Sequence, residues 1–150
     1  MAKRAIPDAI LKPFLIAREG EKFVVYADDG GRPTWGIGHL DLHAKIGEKK
    51  TQGQVDAAYA RDTGIARDRL YDECKAVAIE ALSDHQFAAL LSFTFNLGEH
   101  KDATLWTLIS KGQFKQVPAE IMKWDHEDGK VVSGLVNRRK AEVALWNTKD

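Results

Sequence analysis

The stretch EGEKFVVYADDGGRPTWGIGH, from Glu19 to His39, decides the reading of the fold. Phe23-Val24-Val25-Tyr26 is β-branched and aromatic, Asp28-Asp29-Gly30-Gly31 is turn chemistry, and Thr34-Trp35-Gly36-Ile37-Gly38 follows as a second strand. The spacing predicts a hairpin. Period-two alternation puts Thr34, Gly36 and Gly38 on one face and Trp35 and Ile37 on the other. The Trp35–Ile37 face reads as core. The opposite face is bare backbone with one hydroxyl, against which a ligand can lie.

Working outward, residues 8–19 predict a helix with the apolar stripe Ile10, Leu11, Phe14 and Leu15, stopped at Gly20. Everything after the hairpin reads as helix. Thr51-Gln52-Gly53-Gln54 forms a capping box that opens a long helix to about Glu73, and Ser83-Asp84-His85-Gln86 forms a second. The second opens the stripe Phe87, Leu90, Leu91, Thr94 and Phe95. Shorter helices are expected over 104–111 and 118–124, a polar loop over 125–132, and a last helix over 134–146. The whole predicts an α+β chain, mostly helical, with a small hairpin near its start.

The chain has 150 residues, enough for one ordinary domain with a sizeable core. Its 22 basic and 22 acidic side chains cancel, which argues against a nucleic-acid protein working through bulk positive charge. The basic run Arg138-Arg139-Lys140 sits in an amphipathic pattern and reads as a charged helix face, Arg138 apart. A lone cysteine, Cys74, excludes an internal disulfide. His39 and His43 do not share a helix face with other ligand types, so no metal is expected. Lys12 and Pro13 interrupt the apolar stretch near the start, so neither a signal peptide nor a membrane-inserting helix is read there.

Taken singly, Glu19 reads as a solvated carboxylate at a helix end, Asp28 as a turn aspartate and Thr34 as a strand former. Taken together, they put two carboxylates in different surroundings and a hydroxyl where helix end, strand end and hairpin face converge. That combination suits glycoside hydrolysis, in which an acid protonates the leaving oxygen and a carboxylate directs water.

The run Glu19-Gly20, Tyr26, Asp28, Thr34, Gly36, Gly38-His39 resembles the phage-type lysozymes, the endolysin muramidases of glycoside hydrolase family 24. Phe95-Asn96-Leu97-Gly98-Glu99 and Thr104-Leu105 resemble that family's cleft-lining helix ends. Trp124, Gly129-Lys130, Gly134-Leu135-Val136-Asn137-Arg138-Arg139 and Glu142 resemble the C-terminal signature of its lambdoid-phage branch. The resemblance covers about residues 10–146. It implies a lysozyme-like single domain, with a hairpin lobe over about 1–50, a connecting helix over 51–74 and a helical lobe over 75–150.

The resemblance also implies roles. Glu19 would be the general acid, Asp28 the carboxylate that positions water and stabilises sugar charge, and Thr34 the water's holder, with inversion at the anomeric carbon. Leu40, Phe95, Asn96 and Thr104 would line the sugar-binding cleft, although core packing is an equal alternative for Leu40 and Phe95. Arg138 is expected to face and orient Glu19, and His39 to pair with Asp62 on the long helix. The implied substrate is the β-1,4 bond between N-acetylmuramic acid and N-acetylglucosamine in bacterial peptidoglycan, with no cofactor. A monomer is expected, held in the host cytoplasm until release and reaching the wall through a separate pore protein.

Overall fold

The computed structural model describes residues 2–98 and 103–150; Glu99, quoted in the resemblance above, lies outside them. The chain divides into two compact units, residues 12–65 and residues 1–11 together with 66–150.

In the unit of residues 12–65, helix α1 (Asp8–Glu19) ends where Gly20 closes it through a 2.8 Å bond from its N–H to the Ile16 carbonyl. Strands β1 (Lys22–Ala27), β2 (Pro33–Gly36) and β3 (His39–Leu40) follow, antiparallel and in that order, with Tyr26 directly opposite Thr34. The second strand is shorter than alternation predicts. It stops at Gly36, because Gly36 and Gly38 take φ of +62° and +61° and turn the chain back through Ile37 into β3. Thr34, Gly36 and Gly38 therefore do not form one flat strand face, which corrects the expectation. Trp35 and Ile37 are nevertheless buried, with Leu15, Val25, Val55 and Tyr59. Helix α2 (Gln52–Glu73) opens on the expected capping box: Gln54 N–H donates to Thr51 Oγ1 at 3.1 Å, and Thr51 N–H to Gln54 Oε1 at 2.9 Å.

The other unit is built on α4 (Asp84–Leu97), which is buried continuously from Phe87 to Thr94. A helix apolar on all sides must be surrounded, and α7 (Ser133–Asn147) is its main neighbour. Ser83 caps α4 with the full reciprocal box. Helices α3 (Ala76–Ala81), α5 (Ala103–Ser110) and α6 (Val117–Ile121) complete the unit, α6 being entered through a 3-10 turn at Phe114–Gln116. Helix α3, not expected from sequence, is too short to show a periodic stripe. Trp106 and Trp146 are buried, and burial pushes the Cys74 thiol up to about 12, an inert packed thiol.

Two further expectations need correction. Residues 125–132 are not a plain loop: β4 (His126–Glu127) pairs with β5 (Lys130–Val131). The turn Asp128-Gly129 has φ of 51° and 78°, the left-handed pair that matches strand twist in a two-residue hairpin. The first residues also belong with the helical unit rather than with a hairpin lobe. The Arg4 guanidinium donates to the carbonyls of Ile79 and Leu82, both at 2.8 Å, and pairs with Asp84 at 2.7 Å. These contacts satisfy carbonyls at the C-terminal end of α3 and tie the segment down.

Candidate active site

The turn after β1 is organised around Asp28. Its Oδ1 accepts the backbone N–H groups of Gly30 (2.9 Å) and Arg32 (2.8 Å). Its Oδ2 faces Arg32 Nε at 3.1 Å and Nη2 at 3.0 Å. The Arg32 backbone N–H first, then the Arg32 guanidinium and the Gly30 N–H, hold the carboxyl below the usual carboxylate range against a smaller opposing desolvation. Asp28 is therefore a fixed, ionised acceptor. Thr34 is buried on β2, and its hydroxyl donates to the Arg32 carbonyl at 3.0 Å. With its proton committed there, the oxygen keeps lone pairs to accept another hydrogen bond.

Glu19, the last residue of α1, lies against Gly38. A Cβ on Gly38 would meet Glu19 Oε2, with Cδ at 2.9 Å and Cγ at 3.0 Å. A side chain there would push the Glu19 carboxylate aside. Tyr26 feels both carboxylates: burial first, then the negative charges of Glu19, Asp28 and Asp29, push its phenol above the ordinary value. One unit thus gathers Glu19, Tyr26, Asp28, Thr34 and Gly38.

The expected pair on α2 is present: His39 Nδ1 lies 2.7 Å from Asp62 Oδ2, both half-buried. The His39 ring also stands edge-on to Trp35, centroids 4.8 Å apart. Leu40 on β3 is exposed rather than packed into the core.

Phe95, Asn96, Thr104 and Arg138 lie in the other unit. Phe95 and Asn96 are half-buried at the end of α4, and Thr104 is exposed in the first turn of α5. The Asn96 side-chain Oδ1 accepts from Arg139 Nη2 at 2.7 Å. Arg139 is not on a charged helix face, as the sequence suggested. It is fully buried, 2.6 Å from the equally buried Glu142, and it covers the Phe93 ring at 5.2 Å. Arg138 joins the same cluster through Nε, 3.2 Å from Glu142 Oε2, which also accepts the Ser92 hydroxyl at 2.6 Å. Among the described residues, no group of three or more His, Cys, Asp or Glu side chains could hold a metal ion.

The sequence reading assigned no functional role to four residues: Arg32, Tyr26, Arg139 and Glu142. Arg32 was visible as a cation four positions after Asp28 across a glycine turn. Tyr26 was visible as the strand residue two before that aspartate. Arg139 and Glu142, three apart on one helix, were an available ion pair. Burial, which sequence spacing does not report, decides their importance.

A helix-end carboxylate meeting a short hairpin that carries a second, in an otherwise mainly helical chain, is a lysozyme-like arrangement. The phage lysozyme family model matches residues 17–142, and the chain belongs to that family. An endolysin of Bacillus phage PZA is 39% identical over 117 residues, covering 77% of this chain and 44% of that protein. A SAR-endolysin of Escherichia phage Mu is 31% identical over 137 residues, covering 90% of this chain and 77% of that protein. The chain thus spans less than half the length of the Bacillus phage relative. Among solved structures, the active form of the P1 phage endolysin Lyz has a TM-score of 0.78 at 22% identity, covering 89% of this chain and 80% of that one. The muramidase domain of SpmX from Asticaccaulis excentricus has a TM-score of 0.77 at 23% identity, covering 98% and 100%. These two structures share the fold.

Proposed function

We propose that this chain is a peptidoglycan-degrading muramidase that hydrolyses the β-1,4 bond between N-acetylmuramic acid and N-acetylglucosamine, as a phage endolysin in host cell lysis. The observation that carries the reading is the gathering of Glu19, Asp28 and Thr34 in one unit, with Asp28 held ionised and Glu19 packed on Gly38.

Glu19, protonated, gives its proton to the glycosidic oxygen as the bond to the anomeric carbon breaks. The ionised Asp28 stabilises the positive charge that develops on the sugar. A water donates one hydrogen to Thr34 Oγ1 and the other to Asp28, and its lone pair attacks the anomeric carbon. Asp28 takes the proton, and the configuration inverts. Leu40, Phe95, Asn96 and Thr104 contact the sugars, His39 and Asp62 support the hairpin, and Arg138 orients Glu19. No cofactor is needed. The protein acts as a monomer on bacterial peptidoglycan, from the host cytoplasm and with a separate pore protein giving access to the wall.

The test is the clearing of a peptidoglycan suspension, with mass analysis of the fragments. Wild type should release reducing muramic ends carrying one added water, and Glu19→Gln should clear at least about 100-fold more slowly, as loss of a general acid costs. Equal clearing by Glu19→Gln would remove Glu19 as the acid. Anhydro-sugar products would replace hydrolysis by internal attack, and binding without clearing would make the chain a wall-binding module.

A further inference from the structure

The geometry points to Arg32 as the positioning residue that sets both hydrogen-bond acceptors of the attacking water, a role resting on the reading of Asp28 and Thr34 just given. A single residue makes four kinds of contact to these two groups. Its backbone N–H donates to Asp28 Oδ1 at 2.8 Å. Its guanidinium faces Asp28 Oδ2 through Nε at 3.1 Å and Nη2 at 3.0 Å. Its carbonyl accepts the Thr34 hydroxyl at 3.0 Å, and the same carbonyl accepts the Asp28 backbone N–H at 3.0 Å.

Each contact has a consequence at the water. An aspartate on a turn has two free torsions, and donors on both oxygens remove them. The guanidinium on Oδ2, through two nitrogens, and the backbone N–H groups on Oδ1 together fix both oxygens and so the plane of the carboxylate. The Thr34 hydroxyl is a rotor whose proton could otherwise point at the water and compete for its lone pair. The Arg32 carbonyl takes that proton, so Thr34 must accept from the water. The water's two hydrogens are then both engaged, and its lone pair is left for the sugar. A Cβ on Gly30 would sit 3.4 Å from both Arg32 Nε and Asp28 Oδ1, so the chain passes closely beneath the pair.

The backbone half of this arrangement follows from the turn and would survive any side chain at position 32. The guanidinium half would not, and it can be removed cleanly, because the Arg32 side chain is 59% exposed and packs into no core. The titratable and charged groups around Asp28 in this unit are Arg32, which bears on it directly, and Tyr26 on β1, which in turn feels Glu19, Asp28 and Asp29. Arg32 is the cation among them.

The experiment compares Arg32→Met and Arg32→Lys with wild type, and adds Asp28→Asn. Three quantities are read: the carbon NMR titration of the Asp28 carboxyl, the pH profile of turnover on soluble peptidoglycan fragments, and the melting curve. In Arg32→Met the Asp28 titration should move to higher pH, and the acid limb of kcat should move with it. kcat should fall about tenfold with KM little changed, as expected when a reacting group loses its orientation. Arg32→Lys should recover the position of the limb better than it recovers kcat, because lysine restores the charge without the planar fork. Unchanged melting curves would show that these effects are not loss of fold. If Asp28→Asn is inactive while Arg32→Met leaves both the Asp28 titration and kcat as in wild type, the role of Arg32 is overturned and the role of Asp28 stands. If Asp28→Asn keeps full activity, the reading of Asp28 as the water's carboxylate falls, and the role of Arg32 falls with it.

Discussion

Two arginine–carboxylate clusters in this chain use the same chemistry in opposite surroundings. At the hairpin turn, Arg32 holds Asp28 in a setting open to solvent. Between α4 and α7, Arg138, Arg139, Glu142 and Ser92 are all buried, and the Arg139 and Glu142 side chains are fully excluded from solvent. The carboxyl groups respond with opposite signs. Hydrogen bonds from Arg32 lower Asp28, whereas burial raises Glu142 against the pull of Arg139 and Arg138. Having an arginine neighbour therefore does not fix the state of a carboxylate; the balance of donors against desolvation does. The linkage to pH differs accordingly. Asp28 favours the folded state above its unfolded value, and that contribution fades as pH falls through the depressed folded value. The raised Glu142 works the other way, with a contribution present below its unfolded value and lost as pH rises through the folded one. The pair at the turn is suited to the role proposed for Asp28, and the buried set to fixing two helices.

The largest expected effect tests the buried side. Glu142→Gln keeps the shape of the side chain but leaves Arg139 fully buried without its counter-charge. Breaking such a pair by removing one partner costs about 3–5 kcal/mol, equivalent to a melting-temperature loss on the order of 10 °C in a chain of this size. Differential scanning calorimetry measures it. A loss under about 1 kcal/mol would show that the cluster is no more structural than the exposed pair, and the contrast would collapse.

The same contrast explains what was legible in the sequence. Helix α1, both capping boxes and the Asp28 turn could be read because their signals are local: a cap, a glycine and a short polar side chain act within four residues. The two carboxylates proposed for catalysis were readable for the same reason, since Glu19 and Asp28 flank one strand. The buried cluster was not. Arg139 looks like part of a wet helix face until α4 covers it, and only its tertiary contacts with Asn96 and Phe93 distinguish it. Strand β2 failed differently. Glycine is permitted in an extended strand and in a left-handed turn alike, so Gly36 and Gly38 alone did not choose between them.

Those two glycines provide the second test, on the side of the proposed catalytic groups. Gly36→Ala and Gly38→Ala place a side chain at nearly the same positive φ, so each should cost about 1–2 kcal/mol of backbone strain. Their surroundings differ. A Cβ at Gly36 meets only Val55, at 3.6 Å or more, whereas at Gly38 it meets the Glu19 carboxylate. Activity on peptidoglycan should therefore fall at least about tenfold further in Gly38→Ala than in Gly36→Ala, since a displacement of about 1 Å in a reacting group can cost 100-fold. Equal loss in the two variants would mean that the contact with Gly38 does not place Glu19.

The smallest effect is expected at the pair that lies between the two extremes. His39 and Asp62 are about one-fifth exposed each, joined by one 2.7 Å hydrogen bond. Asp62→Asn removes the carboxylate charge but keeps an oxygen that can accept from His39 Nδ1, so only part of the interaction is lost. The expected cost is about 1 kcal/mol, a melting shift of about 2–4 °C. Activity should change less than about threefold, because His39 stands edge-on to Trp35 and supports the hairpin through that ring. A loss as large as that of Glu142→Gln would mean that burial is not what separates the clusters, and that distance from the reacting groups does. A stability unchanged from wild type, with activity reduced tenfold, would move the His39–Asp62 pair to the side of Arg32 and make it part of the machinery that orients the hairpin for catalysis.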